Sequence, residues 1–235
     1  MNIIAHRQLA LLAFLSFCFM VSSARAGEVF LPGETIQYEI KKVFKLGKAT
    51  LTFNGPQTIN KQQLVLITFR TEGLNFFDEE KIYMDPVDLF PRVVERDLNI
   101  WGKKEKIREV YDQQSGKVTV IKDADGKKSE SSIQKKGKID NIYSFLYRYR
   151  RSGSFKKNDR LKLVLPTKEV DIILKRKDTV EAADKKYEAY YMESEPKEYS
   201  LWFDTSPQRL PLRIDGAVRM GKTKMVMKEY KPGSP

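Results

Sequence analysis

Histidine and cysteine are all but missing from this 235-residue chain, each occurring once, as His6 and Cys18. Both fall within the first 26 residues, which read as an export signal. Arg7 gives a basic start, Leu9 to Val21 an apolar stretch, and Ala24-Arg25-Ala26 the small-x-small cleavage pattern ahead of Gly27. The apolar stretch is short for a bilayer span, and Phe17 beside Cys18 argues against lipid attachment there. Cleavage between Ala26 and Gly27 is therefore expected, leaving one domain over residues 27–235 with no thiol and no imidazole.

That double absence excludes a Ser-His-Asp triad, a cysteine nucleophile, a zinc site of ordinary ligands and any disulfide. Carboxylate pairs, Lys, Tyr and Ser-Lys arrangements remain, and carboxylates alone suffice for glycoside hydrolysis. No cofactor and no metal are expected. Long apolar runs are also absent after residue 26, so stability must come from packing within a domain large enough to bury a real core. What the chain has in excess is positive charge, formally +12. Removing Arg7 and Arg25 leaves it clearly basic, which favours an anionic partner.

From Glu34 onward the dominant pattern is alternation with period two in short runs broken by Gly, Pro, Asn or Asp. Ile36, Tyr38 and Ile40 share one face; Ala49, Leu51 and Phe53 follow after Gly47, and Val65, Ile67 and Phe69 come next. Later runs are Leu161, Leu163 and Leu165, then Tyr199, Leu201 and Phe203, then Leu212 and Ile214. Ser115-Gly116 and Asp125-Gly126 are hairpin turn pairs. The expected class is mainly β, a curved antiparallel sheet or open barrel. Residues 122–138, rich in Lys, Ser and Gly, are expected to form a flexible basic loop.

One segment, about 140–151, has helical period instead: Ile142, Phe145, Leu146 and Tyr149 fall on one face, and Asp140 or Asn141 is placed to cap it. Arg150 and Arg151 occupy its last turn and Gly153 follows as a stop. It either plugs the sheet or forms the lid of an apolar cavity.

Several motifs match only in letters. Gly216 to Thr223 fits the P-loop pattern, but the strand-like run to Tyr230 leaves no helix for a phosphate to face. No nucleotide is expected there, only a hairpin connection. Ser132-Ile-Gln-Lys135 and Ser154-Phe-Lys-Lys157 match S-x-x-K without companion motifs. Asp123-Ala-Asp125-Gly126 lacks the spacing of a calcium loop and reads as a turn. Asp78, Glu79 and Glu80, with Asp85 and Asp88, read as solvated loop and turn charges.

Taken in order, further segments carry a family likeness. Gly33, Glu34, Tyr38, Glu39 and Ile40, then Gly47, Ala49 and Leu51, match a G-E-x-L-x-Y-x-I opening and a G-x-A-x-L second strand. Asp85 to Pro91, the run Asp140 to Arg148, Leu201-Trp202-Phe203-Asp204 and Arg209 to Ile214 match the segments that follow. The chain resembles the bacterial exported proteins grouped as domain-of-unknown-function family 3108, along nearly all of its length after residue 26. The resemblance implies a β-rich envelope protein and carries over no catalytic residue. By analogy its architecture is similar to lipoprotein carriers of the LolA and LolB type, a curved sheet closed by helices around an apolar cavity.

Together these readings predict a non-enzymatic periplasmic protein of a Gram-negative bacterium that binds a lipid or acylated envelope component. Expected cavity residues are Phe69, Phe76, Phe77, Tyr83, Phe90, Trp101, Phe145, Leu146 and Trp202, with Arg148 and Arg150 as headgroup contacts. The partner is a lipid or other anionic envelope component, with no nucleic acid. The alternatives are an envelope scaffold whose basic face meets a protein partner, and a polysaccharide-acting enzyme built on carboxylates alone.

Overall fold

The computed structural model describes residues 30–41, 45–217 and 223–234. The expected cleavage site at Ala26 and Gly27 lies outside the described residues, as does 218–222 within the P-loop lookalike.

Eight strands follow one another as a meander: β1 (Glu34–Lys41), β2 (Lys45–Ile59), β3 (Gln62–Gly73), β4 (Phe76–Met84), β5 (Pro91–Ile100), β6 (Lys103–Asp112), β7 (Lys117–Ala124) and β8 (Lys127–Gln134). The helix α1 (Ile142–Ser152) comes next. A second run of strands completes the chain: β9 (Arg160–Val164), β10 (Glu169–Ala182), β11 (Lys185–Glu195), β12 (Ser200–Asp204), β13 (Pro211–Asp215) and β14 (Lys224–Lys231). All join one 14-stranded sheet in the order β8 to β1, then β14 back to β9, so antiparallel pairing of β1 with β14 unites the two arms. The edge strands β8 and β9 do not pair with each other, and the sheet stays open. Period-two alternation is literal in β1, where Glu34, Ile36, Tyr38 and Ile40 are buried and the residues between them half-exposed.

The sequence between β8 and α1 crosses the gap between the two edges. Ile139 donates its backbone N–H to Gln113 Oε1 (2.8 Å), while Gln113 Nε2 donates to the carbonyls of Pro91 and Ile139. Asp140 N–H then reaches the Val164 carbonyl on β9 (2.6 Å). Asn141 caps the helix by accepting from Tyr143 N–H, and Ser144 Oγ closes a capping box on the Asn141 N–H. At the other end Gly153 does stop the helix, although its φ of −65° is not the left-handed value. A Cβ there would lie 2.6 Å from the Tyr149 carbonyl oxygen, so close approach is what requires glycine.

The helix sits inside the curl of the sheet. Tyr143 stacks on Phe69 of β3 (3.7 Å between ring centroids), Tyr147 meets Phe53 of β2, and Tyr149 meets Phe203 of β12. Ile142 to Tyr147, Tyr149 and Arg150 are all buried. It therefore fills the concavity as a plug, with Phe145 and Leu146 at 0% exposure in solid core. No helix among the described residues is long and apolar enough to cross a membrane.

The expected loop at 122–138 is corrected: most of it is the β7–β8 hairpin, turning at Asp125-Gly126. Its polar composition arises because β8 is an edge strand whose residues are nearly all exposed, so little apolar content is needed. The Asp123 carboxylate accepts from Gly126 N–H, a turn contact. The P-loop lookalike is flanked by β13 and β14, paired antiparallel, and a strand follows where a P-loop needs a helix.

Candidate functional site

At the N-terminal end of α1 the two arms stand apart and leave an open cleft of about 670 Å³. One wall is the inner face of β4, β5 and β6, carrying Glu80, Val94, Arg96, Ile107, Glu109 and Tyr111. The other is built from connections of the second arm: Leu165 to Lys168 between β9 and β10, and Lys197 to Tyr199 between β11 and β12. Asp140 to Tyr143 form the floor. The helix start can be a floor because the crossing segment pins it to β9 and Asn141 ties it to β4.

Strand register explains the polar cluster on the first wall. Glu80 and Arg96 are directly opposite on β4 and β5, at inward positions otherwise held by residues such as Ile82 and Val94. Arg96 binds Asp78 through a short bidentate contact and reaches Glu80 Oε1 at 3.2 Å, while Asn141 Nδ2 donates to Glu80 Oε2 (3.1 Å). Burial pushes the Glu80 carboxyl above its usual range, against the opposing pull of Arg96. Tyr111 donates a short hydrogen bond to Glu109, and burial with that carboxylate raises its phenol well above normal. Asp78 and Glu80 thus correct the expectation of solvated loop charges: alternation turns them inward, and Arg96 compensates them. Asp85 and Asp88 do lie in the β4–β5 turn, accepting from Val87 and Phe90 N–H.

Asp140, on the floor, accepts from Arg148 (2.6 Å) yet is pushed up to about 6 by burial. Its native value exceeds the unfolded one, so the folded state binds the extra proton between them. Its contribution is full below the unfolded value and lost as pH rises through about 6. Urea melts should therefore show wild type losing stability relative to Asp140→Asn as pH rises from about 4 to about 7. A constant or opposite difference would contradict this assignment.

The residues expected to line one cavity are divided among several places. Phe69, Phe76, Phe145 and Leu146 are core; Phe77 and Tyr83 point to the other face of β4 from Phe76 and Ile82. Trp202 lies opposite Phe203, against Tyr191 and Arg213. Phe90 lies under the Arg148 guanidinium, and Trp101 is 70% exposed at a hairpin tip. Arg150 is corrected as a headgroup contact, because its guanidinium is buried and bonded to Glu34 at 2.7 and 3.0 Å. Periodicity identifies inward positions but not which loops converge, so Leu165, Lys168, Lys197 and Tyr199 were missed. A charged Glu80 and Arg96 at inward places in two apolar alternations was the available signal.

Among the described residues no group of three or more Asp or Glu side chains is placed to hold a metal ion. Residues 36–228 match the family model described as "Protein of unknown function (DUF3108)". The chain belongs to the DUF3108 family. No curated protein matches it in sequence. Among solved structures, this DUF3108 chain is similar to a beta-barrel-like protein of domain of unknown function DUF1849 from Brucella abortus. The two are 9% identical, the match covers 88% of this chain and 100% of that one, and the TM-score is 0.52. At that identity the likeness extends to the fold alone. A protein from Bacteroides fragilis, described as exported with a YmcC-like fold, is 10% identical over 86% of this chain and 98% of its own. Its TM-score of 0.30 carries no argument about the DUF3108 fold.

Proposed function

We propose that this is a non-enzymatic protein of the bacterial envelope, exported to the periplasm, that binds an acylated anionic molecule in the cleft at the start of α1. The observation that carries the reading is the cleft itself, about 670 Å³ and open, lined by Val94, Ile107, Ile142 and Leu165 with Lys168 and Lys197 at its rim. This replaces a cavity beneath the helix, where Phe145 and Leu146 have no exposed surface. Burying an acyl chain contributes about 0.8 kcal/mol per CH₂, so a dozen carbons outweigh a few lysines at about 1 kcal/mol each. The lysines position the charged end. Lys168 and Lys197 pair with Glu198 and Glu193 at the surface, and such exposed pairs exchange readily for a ligand anion.

Binding suits the polar wall better than catalysis does. Both Glu80 oxygens, Asp140 and Glu109 already accept from Arg96, Asn141, Arg148 and Tyr111, so each acid is held in place by its own partner. The export-type segment at residues 1–26 supports the location.

Titration of a fluorescent fatty-acyl probe tests this. Wild type should bind it, and Ile107→Asp, at a half-buried wall position, should abolish binding while the urea midpoint stays close to wild type. Failure of wild type to bind the probe, with no lipid seen by native mass spectrometry, sinks the reading in favour of a scaffold.

A further inference from the structure

Three hairpin tips project side by side at one end of the first arm: Leu74-Asn75 between β3 and β4, Trp101-Gly102 between β5 and β6, and Asp125-Gly126 between β7 and β8. The first two are tied together by Trp101 N–H donating to the Asn75 carbonyl (2.8 Å). Leu74 is 83% exposed and Trp101 70%, the largest exposures of big apolar side chains among the described residues of the first arm apart from Val87 in the β4–β5 turn.

Trp101 also defies its own turn. Among the described residues, four two-residue hairpins of this sheet have positive φ at both turn positions, the geometry whose twist suits the strands. Their first positions are Asn60, Trp101, Asp125 and Ala183, with φ of 48°, 55°, 51° and 47°. Asn and Asp tolerate the left-handed region and Ala is small, whereas a bulky aromatic there is an outlier. An indole placed so, and 70% exposed, adds no turn propensity and little packing to the fold. A strained residue with no structural return points to a surface role.

The chemistry around it selects the partner. Lys103 and Lys104 follow the Trp101 turn, and Lys127 and Lys128 follow the next one; all four are exposed, and none makes an ion pair among the described residues. Projecting Leu and Trp flanked by unpaired lysines is what an anionic bilayer surface accepts: the indole sits at headgroup level, and the cations face lipid phosphates. Charge complementarity between the four unpaired lysines and lipid phosphates is what selects a bilayer over a protein partner.

We infer that the β3–β4 and β5–β6 hairpin tips, with the four lysines beside them, dock this protein on an anionic lipid surface. This surface is independent of the cleft.

Vesicle titration followed by tryptophan emission tests it. The chain has two tryptophans, and Trp202 is 8% exposed, so a change on adding vesicles reports Trp101. Residues 1–26 contain none, so their apolar stretch does not contribute to the signal. Phosphatidylglycerol vesicles should shift the emission to shorter wavelength; phosphatidylcholine vesicles should do so weakly. Co-sedimentation of Leu74→Ser/Trp101→Asn should weaken by about tenfold or more. Because Asn suits the turn, that variant should be at least as stable as wild type in urea. No emission shift with anionic vesicles overturns the proposal. So does undiminished binding by the double variant, which would leave attraction to the lysines or residues 1–26. Self-association of wild type that the double variant loses, without an emission shift, would assign the tips to a second copy and equally overturn it.

Discussion

Arg150→Ala is expected to destabilise the fold by about 3–5 kcal/mol, the range for removing one partner of a buried ion pair. The guanidinium forms a fork on the Glu34 carboxylate, at 2.7 Å to Oε1 and 3.0 Å to Oε2, with the two side chains 1% and 3% exposed. Its Nε donates to the Gln208 carbonyl, and its plane lies over Phe30 at 4.6 Å and Tyr147 at 5.1 Å. The pair spans helix and sheet: Glu34 opens β1, the strand at the junction of the arms, and Arg150 is in the last turn of α1. Alanine would leave Glu34 buried with no cation beside it, facing the Tyr230 Oη at 3.3 Å and the Tyr147 hydroxyl. Lysine could not reproduce the fork, so Arg150→Lys should recover little. Arg150→Met combined with Glu34→Leu should recover most of the loss, since apolar residues of similar size replace a buried pair at small net cost. Urea melts of Arg150→Met, Glu34→Leu and the double variant form a double-mutant cycle with a large coupling term. Near-additive losses would mean that the pair is hydrated and contributes little.

Arg150 also marks how far sequence reasoning reaches. Alternation in β1 and β3 reads directly as strand because each has one face on the core. The stripe Ile142, Phe145, Leu146 and Tyr149 likewise identifies α1. That helix buries Tyr143, Ser144, Tyr147 and Arg150 as well, since the sheet surrounds it on more than one side. A stripe argument assumes one solvated face and so sends Arg150 to the surface. The reverse error occurs at β8: a strand beyond the core needs no apolar residue, and its composition resembles a loop although Asp125-Gly126 signalled the hairpin. The candidate site was the least legible part. Its second wall comes from the short β9–β10 and β11–β12 connections, each unremarkable alone and brought to the helix start only by curvature of the whole sheet.

Leu146→Ala separates a filled concavity from a hollow one, and here it should cost about 2–5 kcal/mol. Leu146 has no exposed surface and follows Phe145, also fully buried, on the helix that both arms enclose. Neighbours held by sheet pairing on either side cannot collapse into the space a leucine leaves, so the cavity penalty adds to the lost transfer energy. Ile142→Ala provides the internal control. It belongs to the same helix but borders the cleft and is 9% exposed, so fewer neighbours lose contact and the loss should be smaller. Ligand readouts should rank the two variants the other way. Ile142→Ala should weaken the acyl probe, whereas Leu146→Ala, assayed below its unfolding midpoint, should bind it as wild type does. If instead Leu146→Ala proved mild in urea and lost the probe, the ligand would lie beneath the helix, α1 would be a lid, and the cleft at its N-terminus would be only an entrance.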